Sequence, residues 1–137
     1  MATRQARQSE VDDFAEALPG WLPGRRAGGR IENALATCEC MTDIAAALFN
    51  VSGRELRDSA RSSNAVSRVR QIAMYVAHVA LGLTMNEVGR GFGRDRTTVL
   101  HACHLIEDMR EDDEFDAIVA MVERVAGAAL RTRAGSH

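Results

Sequence analysis

Residues 84–110 decide the fold, and they read TMNEVGRGFGRDRTTVLHACHLIEDMR. The segment opens with Thr84 and a glutamate three residues later, the pattern of a capping box at a helix start. After a helix of about two turns, Gly93 predicts a turn, because glycine tolerates the left-handed backbone conformation. Asp95 is then predicted to be the N-cap of a longer helix from Arg96 to about Arg110. A short helix, a glycine turn and a longer helix together predict a helix-turn-helix.

The longer helix is predicted to have two contrasting faces. At about 100° per residue, one side carries the apolar residues Val99, Ala102, Cys103, Ile106 and Met109, and the other carries Thr97, His101, His104 and Asp108. In a helix-turn-helix, the second helix packs one face on the core and presents its first turn to base edges. Arginine can bond bidentately to guanine, and threonine offers a hydroxyl or a methyl group, so Arg96 and Thr97 suit such a turn.

The rest of the chain from Ile31 onward also has helical patterns. Predicted helices cover 31–49, 52–58 (opened by a second capping box at Ser52), 68–81 (ended by Gly82) and roughly 114–130, with a polar loop at 60–65. The predicted core faces comprise Val69, Ile72, Ala73, Val76, Val79 and Ala80 in one helix and Phe115, Ile118, Val119, Val122 and Val125 in the last. Strand patterns are absent, so the sequence predicts an all-α helical bundle.

Three regions follow from this pattern. Residues 1–30 are predicted to be an N-terminal arm with a Pro/Gly linker, residues 31–130 the helical domain, and residues 131–137 a tail. The arm could form a short helix at 9–18, and Phe14 and Trp21 could dock on a partner, fold back onto the core or stay disordered.

Composition restricts the class of protein. Of the 137 residues, 46% are hydrophobic and 26% charged, which is typical of one globular domain. No apolar run approaches the ~18 residues of a membrane span, and there is no signal-peptide core, so we expect no membrane partner and a cytoplasmic, nucleoid-associated location. The three cysteines fit a reducing compartment. Neither a P-loop nor a dinucleotide-binding glycine motif occurs, so we expect no nucleotide and no other cofactor.

The net charge of −2 conceals a strong asymmetry. Residues 53–104 contain eight arginines against four acids, whereas residues 105–123 contain eight acids and one arginine. Such a distribution can direct binding, or it can reflect two solvated helical faces. All 17 basic residues are arginines, the residue best suited to bidentate contact with phosphate and guanine.

Two stretches resemble a known family. Residues 94–103, RDRTTVLHAC, resemble the signature RDHTTVLHA of the C-terminal DNA-binding domain (domain IV) of the bacterial chromosomal replication initiator DnaA. Residues 68–75 resemble the R-x-R-Q-x-A-M stretch of its long central helix, and residues 44–56 resemble its first helix and the short helix after it. The resemblance covers about residues 31–125 and implies a Trp-repressor-like helix-turn-helix fold and sequence-specific binding to double-stranded DNA.

The resemblance also implies roles for matching residues. The residues implied to contact bases in the major groove are Asp95, Arg96, Thr97 and Thr98. Those implied or expected to contact the DNA backbone or the minor groove are Arg61, Arg68, Arg70, Gln71 and Arg94. A domain of this kind binds an asymmetric site, so we expect one monomer per site.

The chain departs from the family pattern in three places. Arg96 replaces a histidine, the turn has only Gly93 where two glycines are common, and the loop 61–67 has few of the usual basic residues. The family's ATPase region has no counterpart in these 137 residues, so we expect a stand-alone DNA-binding domain that is not an enzyme and regulates transcription or replication initiation.

Other functions have weaker support in the sequence. Cys38, Cys40 and Cys103 lack the paired spacing of a structural zinc site, and His101 with His104 lacks a third ligand, so neither a metal nor a catalytic site is expected. The alternative hypothesis is a protein-interaction module that retains the helix-turn-helix as scaffold. Its partner would bind the N-terminal arm or the acidic C-terminal helix.

Overall fold

The computed structural model describes residues 27–58 and 63–134, and within these two ranges it contains six α-helices and no strand. They are α1 (Ala27–Phe49), α2 (Gly53–Arg57), α3 (Asn64–Val79), α4 (Met85–Phe92), α5 (Arg96–Met109) and α6 (Asp113–Ala134). The all-α prediction is confirmed. The predictions for the N-terminal arm with Phe14 and Trp21, for Arg61 and for residues 135–137 lie outside the described residues. No helix in the described ranges is long and apolar enough to cross a membrane.

Helix α3 is the centre of the bundle and packs against all five other helices of the described chain, most extensively against α5 and α1. Every residue from Ile72 to Ala77 is buried, which is far more than one stripe. The predicted core face of α3 was therefore too narrow in the middle of the helix. It was also wrong at the end, where Val79 and Ala80 are exposed because the chain leaves the bundle there.

The capping boxes predicted from sequence are confirmed. The hydroxyl of Ser52 accepts from the amide of Glu55 at 3.1 Å, and the Glu55 carboxylate accepts from the amide of Ser52 at 3.3 Å. Thr84 and Glu87 exchange the same two bonds at 3.0 and 2.9 Å. Because the hydrogen bonds of each box join residues three apart, the starts of α2 and α4 could be predicted from the sequence alone.

Three helices differ from their predicted bounds. Helix α1 begins at Ala27 and not at Ile31, since glycine weakens a helix without forbidding it. Helix α3 begins at Asn64 and not at Arg68, because the hydroxyl of Ser63 accepts from the amide of Val66 at 3.2 Å and caps the helix. Helix α6 spans 113–134 and is longer at both ends than the predicted 114–130.

The apolar stripe predicted for α6 is only partly in the core. Val119 and Val122 are fully buried, Phe115 is half-buried, and Ile118 and Val125 are exposed. Helix α6 contacts α1 and α3, so the residues that face those two helices are buried and their neighbours on the stripe are not.

Candidate nucleic-acid interface

Two glycines shape the turn between α4 and α5, one by its backbone conformation and one by a close approach to the chain that follows. Gly93 has φ 66°, the left-handed conformation that the sequence predicted for it. The amide of Arg94 donates to the carbonyl of Gly89 at 2.8 Å. A Cβ on Gly89 would lie 2.7 Å from the main-chain oxygen of Arg94, so only glycine fits this contact. The geometry confirms the predicted helix-turn-helix.

Asp95 begins α5 as its N-cap, as predicted. Its carboxylate accepts from the amide of Thr98 at 2.7 Å. This main-chain hydrogen bond is the largest of the effects that lower the pKa of Asp95, and the Thr98 hydroxyl adds to it. The carboxylate is therefore ionised at the helix start, where a negative charge is also favourable to the helix dipole.

The two faces of α5 are arranged as the sequence predicted. Thr97, Thr98, His101 and His104 are exposed, whereas Val99, Ala102, Cys103 and Ile106 are buried. Met109, assigned to the core face, is half-buried at the end of the helix, and Arg96 is half-buried in its first turn.

A groove of about 520 Å³ runs between α3 and α5. Its lining includes four of the predicted site residues, and the full set is Ser67, Arg70, Gln71, Met74, Arg94, Thr98, His101, Ala102 and Leu105. The structure thus brings two separate sequence motifs to one surface. Sequence reasoning did not single out Ser67 and Leu105. The helical spacing from Thr98 through His101 to Leu105 is the signal that could have found Leu105.

The predicted phosphate-binding arginines are not equivalent. Arg68 is half-buried and donates to the side-chain oxygen of Gln71 at 3.0 Å, because residues three apart lie on the same face of a helix. Arg94 is half-buried and donates to the carbonyls of Asp58 and Gly93, at 3.0 and 3.4 Å.

Arg70, which is also predicted to contact the DNA backbone, is held differently from Arg68 and Arg94. The residue is 8% exposed, and its Nε donates to the carbonyl of Leu56 at 2.8 Å. Its Nη2 donates to the carbonyls of Glu55 and Asp58 at 3.1 and 3.2 Å. The guanidinium is thus held by three carbonyls at the end of α2, although Arg70 also lines the groove.

The acidic segment lies at the opposite end of α5 from the turn. Helix α5 has 14 residues, so its ends are about 20 Å apart. Beyond its last turn, residues 111–114 are four consecutive exposed acids. This run of four acids therefore lies away from the first turn of α5.

Two of the three cysteines, Cys38 and Cys103, form part of the core. Burial raises the pKa of Cys38 to about 12 and that of Cys103 to about 11, and nearby carboxylates add to both shifts. Both thiols are thus protonated at neutral pH and pack as small apolar groups. Among the described residues, no group of three or more His, Cys, Asp or Glu side chains is placed to hold a metal ion.

Comparisons with known proteins agree with this geometry. The family described as bacterial dnaA protein helix-turn-helix matches residues 38–106, just over half of the chain. The chromosomal replication initiator protein DnaA of Rhodopseudomonas palustris (strain HaA2) is 44% identical over 81 residues, and that of Bradyrhizobium sp. (strain BTAi1 / ATCC BAA-1182) is 43% identical over 81. Each alignment covers 55% of this chain but only 17% of the initiator, so the similarity concerns a small part of those proteins.

Two solved structures have the same fold. A DNA replication initiation factor superposes with a TM-score of 0.72 at 24% identity, over 88% of this chain and 37% of that one. A replication initiator DnaA bound to AMPPCP and single-stranded DNA superposes with a TM-score of 0.63 at 23% identity, over 90% of this chain and 37% of that one. With the signature at residues 94–103 on the first turns of α5, the family match shows that this chain belongs to the bacterial DnaA helix-turn-helix family and carries its type of DNA-binding domain.

Proposed function

We propose that this protein binds double-stranded DNA sequence-specifically, one monomer per site, at sites that resemble the boxes of the replication initiator. The observation that carries the proposal is the first turn of α5. There Arg96, Thr97 and Thr98 follow directly on an ionised cap, and both threonines are exposed. Recognition helices contact base edges with this turn.

Each side chain in this turn has a distinct part in the proposed contact. Arg96 reads a guanine through O6 and N7, while Thr97 and Thr98 supply hydroxyl and methyl contacts. Asp95 accepts a hydrogen bond from a cytosine amino group with a carboxylate that also caps the helix. The N-terminal amides of α5 add a favourable environment for a neighbouring phosphate.

The flanking residues position the protein on the backbone. Gln71 on α3 and Arg94 at the turn line the groove between α3 and α5, and Arg68 donates a hydrogen bond to Gln71. Arg61 is proposed for the minor groove from the resemblance alone. These contacts supply affinity that does not depend on sequence, whereas the first turn of α5 supplies discrimination.

The proposed biological role is regulation of replication or transcription initiation without catalysis. The 137 residues contain no P-loop motif, and the described residues hold no metal-binding cluster. A protein that reads the initiator's site without hydrolysing ATP would compete with the initiator for that site. We therefore propose no cofactor, no ATPase activity and a location at the nucleoid.

Fluorescence anisotropy with a duplex that carries an initiator box, and with a scrambled duplex of equal length, tests this function. We expect tighter binding to the box, and a plot of log K against log salt with a slope of about −3 if Arg61, Arg68 and Arg94 each meet a phosphate. Arg68→Ala should reduce the magnitude of the slope by about one. Arg124→Ala, which removes an exposed arginine from α6, is the matched control and should leave it unchanged. Equal affinity for both duplexes, or a flat salt dependence, would contradict the proposal.

A further inference from the structure

Arg70 is an unusual arginine for a surface that binds a polyanion. It lies on α3 among core residues and is 8% exposed, whereas its neighbour Arg68 is half-buried. Its guanidinium donates to three main-chain carbonyls, those of Glu55, Leu56 and Asp58. These carbonyls belong to the last turn and the cap of α2, where a helix leaves its acceptors unsatisfied.

The carbonyl of Asp58 is shared by two arginines. Arg70 Nη2 approaches it at 3.2 Å, and Arg94 Nη2 approaches it at 3.0 Å. Arg94 directly precedes Asp95, the cap of α5. A continuous set of hydrogen bonds therefore runs from α3 through the end of α2 to the residue that leads into the recognition helix.

This arrangement has an electrostatic cost. Burial lowers the pKa of Arg70, and the nearby positive charge of Arg94 lowers it further, while Asp58 opposes both effects. Two guanidinium groups directed at one oxygen repel each other, so this geometry needs the surrounding structure to support it.

We propose that Arg70 serves DNA binding as a positioning residue and not as a phosphate contact. Its three hydrogen bonds hold the end of α2 against α3, and the shared carbonyl of Asp58 then orients Arg94 and the start of α5. This inference rests on the proposed function, because it assigns a role within the same DNA-binding surface.

Lysine distinguishes the two roles. A phosphate contact needs mainly a positive charge, which lysine supplies as a point charge. Three carbonyls around one planar group need the fixed fork of arginine, and an ammonium group does not reproduce it. The same replacement at Arg68, on the neighbouring helix face, provides a matched comparison.

The test measures duplex affinity and its salt dependence for Arg70→Lys, Arg70→Ala, Arg68→Lys and Arg68→Ala. We expect Arg70→Lys to weaken binding about tenfold or more, nearly as much as Arg70→Ala, while its salt slope stays that of the wild type. Arg68→Lys should bind within about twofold of the wild type. Full affinity of Arg70→Lys, together with a slope reduced by about one in Arg70→Ala, would overturn the inference.

A general loss of stability must be separated from a loss of positioning. Val122→Ala, in the α6 core, serves as the destabilised control, and all proteins are measured well below their melting temperatures. Arg70→Lys should lose affinity while fully folded and should show faster hydrogen exchange at the amides of 56–58 and 94, whereas Val122→Ala should retain affinity. A loss that merely follows the unfolded fraction in both variants would overturn the inference. If the wild-type chain does not bind the duplex at all, the proposed function fails and this inference fails with it.

Discussion

The hydroxyl of Tyr75 donates a hydrogen bond to the carboxylate of Glu107 at 2.6 Å and so joins the central helix α3 to the recognition helix α5. Arg110 donates to the same hydroxyl at 3.2 Å and lies 5.7 Å from the ring centre. It also bonds Asp116 and Glu123 of α6, at 2.6 and 2.9 Å. Burial acts to lower the pKa of Arg110, but the hydrogen bonds to Asp116, Tyr75 and Glu123 outweigh it and raise the pKa. Three helices thus meet at one polar network, at the end of α5 that lies opposite the turn.

Tyr75→Phe should destabilise the protein by about 1–2 kcal/mol, because it leaves two charged partners without a hydroxyl. Its effect should also depend on pH. Burial first, and then the hydrogen bond to Glu107, raise the pKa of Tyr75 from 10.0 to about 12. The unfolded chain therefore loses this proton first, and the stabilisation that is complete below pH 10 is lost as the pH rises towards 12. Denaturant unfolding of both proteins across this range measures the difference.

The comparison with Tyr75→Phe isolates the tyrosine, because Cys38 and Cys103 also have raised pKa values but are present in both proteins. The chain has a single tyrosine, so its phenolate absorbance reports this group directly. A midpoint near 10 in the folded wild-type protein would contradict the raised pKa.

Gly89→Ala should open the turn of the helix-turn-helix. The new Cβ would lie 2.7 Å from the main-chain oxygen of Arg94. This oxygen belongs to the backbone of the turn, so it cannot move aside without a change in the turn. We expect a loss of about 1–3 kcal/mol of stability and weaker binding to every duplex. Gly53→Ala is the control, since its Cβ would meet only the end of the Arg57 side chain, which can move aside. Equal stability of the two variants would show that the turn accommodates a methyl group.

Asp95 should stabilise α5 in a way that depends on acid pH. Its pKa is lowered from 3.8 in the folded state, mainly by the hydrogen bond from the Thr98 amide, so its contribution is present above pH 3.8 and is lost as the pH falls further. Asparagine is also a good N-cap but does not titrate, whereas alanine does not cap. The melting temperature of the wild type should therefore approach that of Asp95→Ala at low pH, while Asp95→Asn keeps a constant advantage over Asp95→Ala. Melting curves at constant ionic strength measure both differences, and a constant wild-type advantage would contradict the lowered pKa.

Arg96 should set the sequence preference of this protein. It occupies a position where the signature of the family has a histidine. Arginine reaches further than histidine and always carries its charge. Arg96→Ala should cost ~1–3 kcal/mol on the preferred duplex and relax selectivity at one base pair. Arg96→His should shift the selected sequence towards that of the initiator, and Arg124→Ala should leave the selection unchanged. If Arg96→Ala weakens all sequences alike without altering the selected motif, Arg96 binds a phosphate and does not read a base.

Local signals in the sequence were sufficient to predict much of this fold. The boxes at Ser52 and Thr84, the cap at Asp95 and the left-handed turn at Gly93 all formed as predicted. Each of these signals acts between residues at most a few positions apart, so packing elsewhere did not alter it. The two faces of α5 were predictable for a similar reason, since helical periodicity assigns a face once the helix start is known.

Only the tertiary structure decided what each arginine does. In the sequence, Arg68 and Arg70 are both basic residues of one motif. In the structure, Arg68 is half-buried and bonds Gln71 on its own helix, whereas Arg70 is buried against carbonyls that are 12 to 15 positions away. Arg110 stood in an acidic run and became the centre of a network with α3 and α6. The periodicity of α3 likewise did not reveal that nearly its whole circumference is covered. Contacts between distant segments decide which acceptors a guanidinium can reach and how many neighbours surround a helix. A local sequence pattern does not predict such contacts.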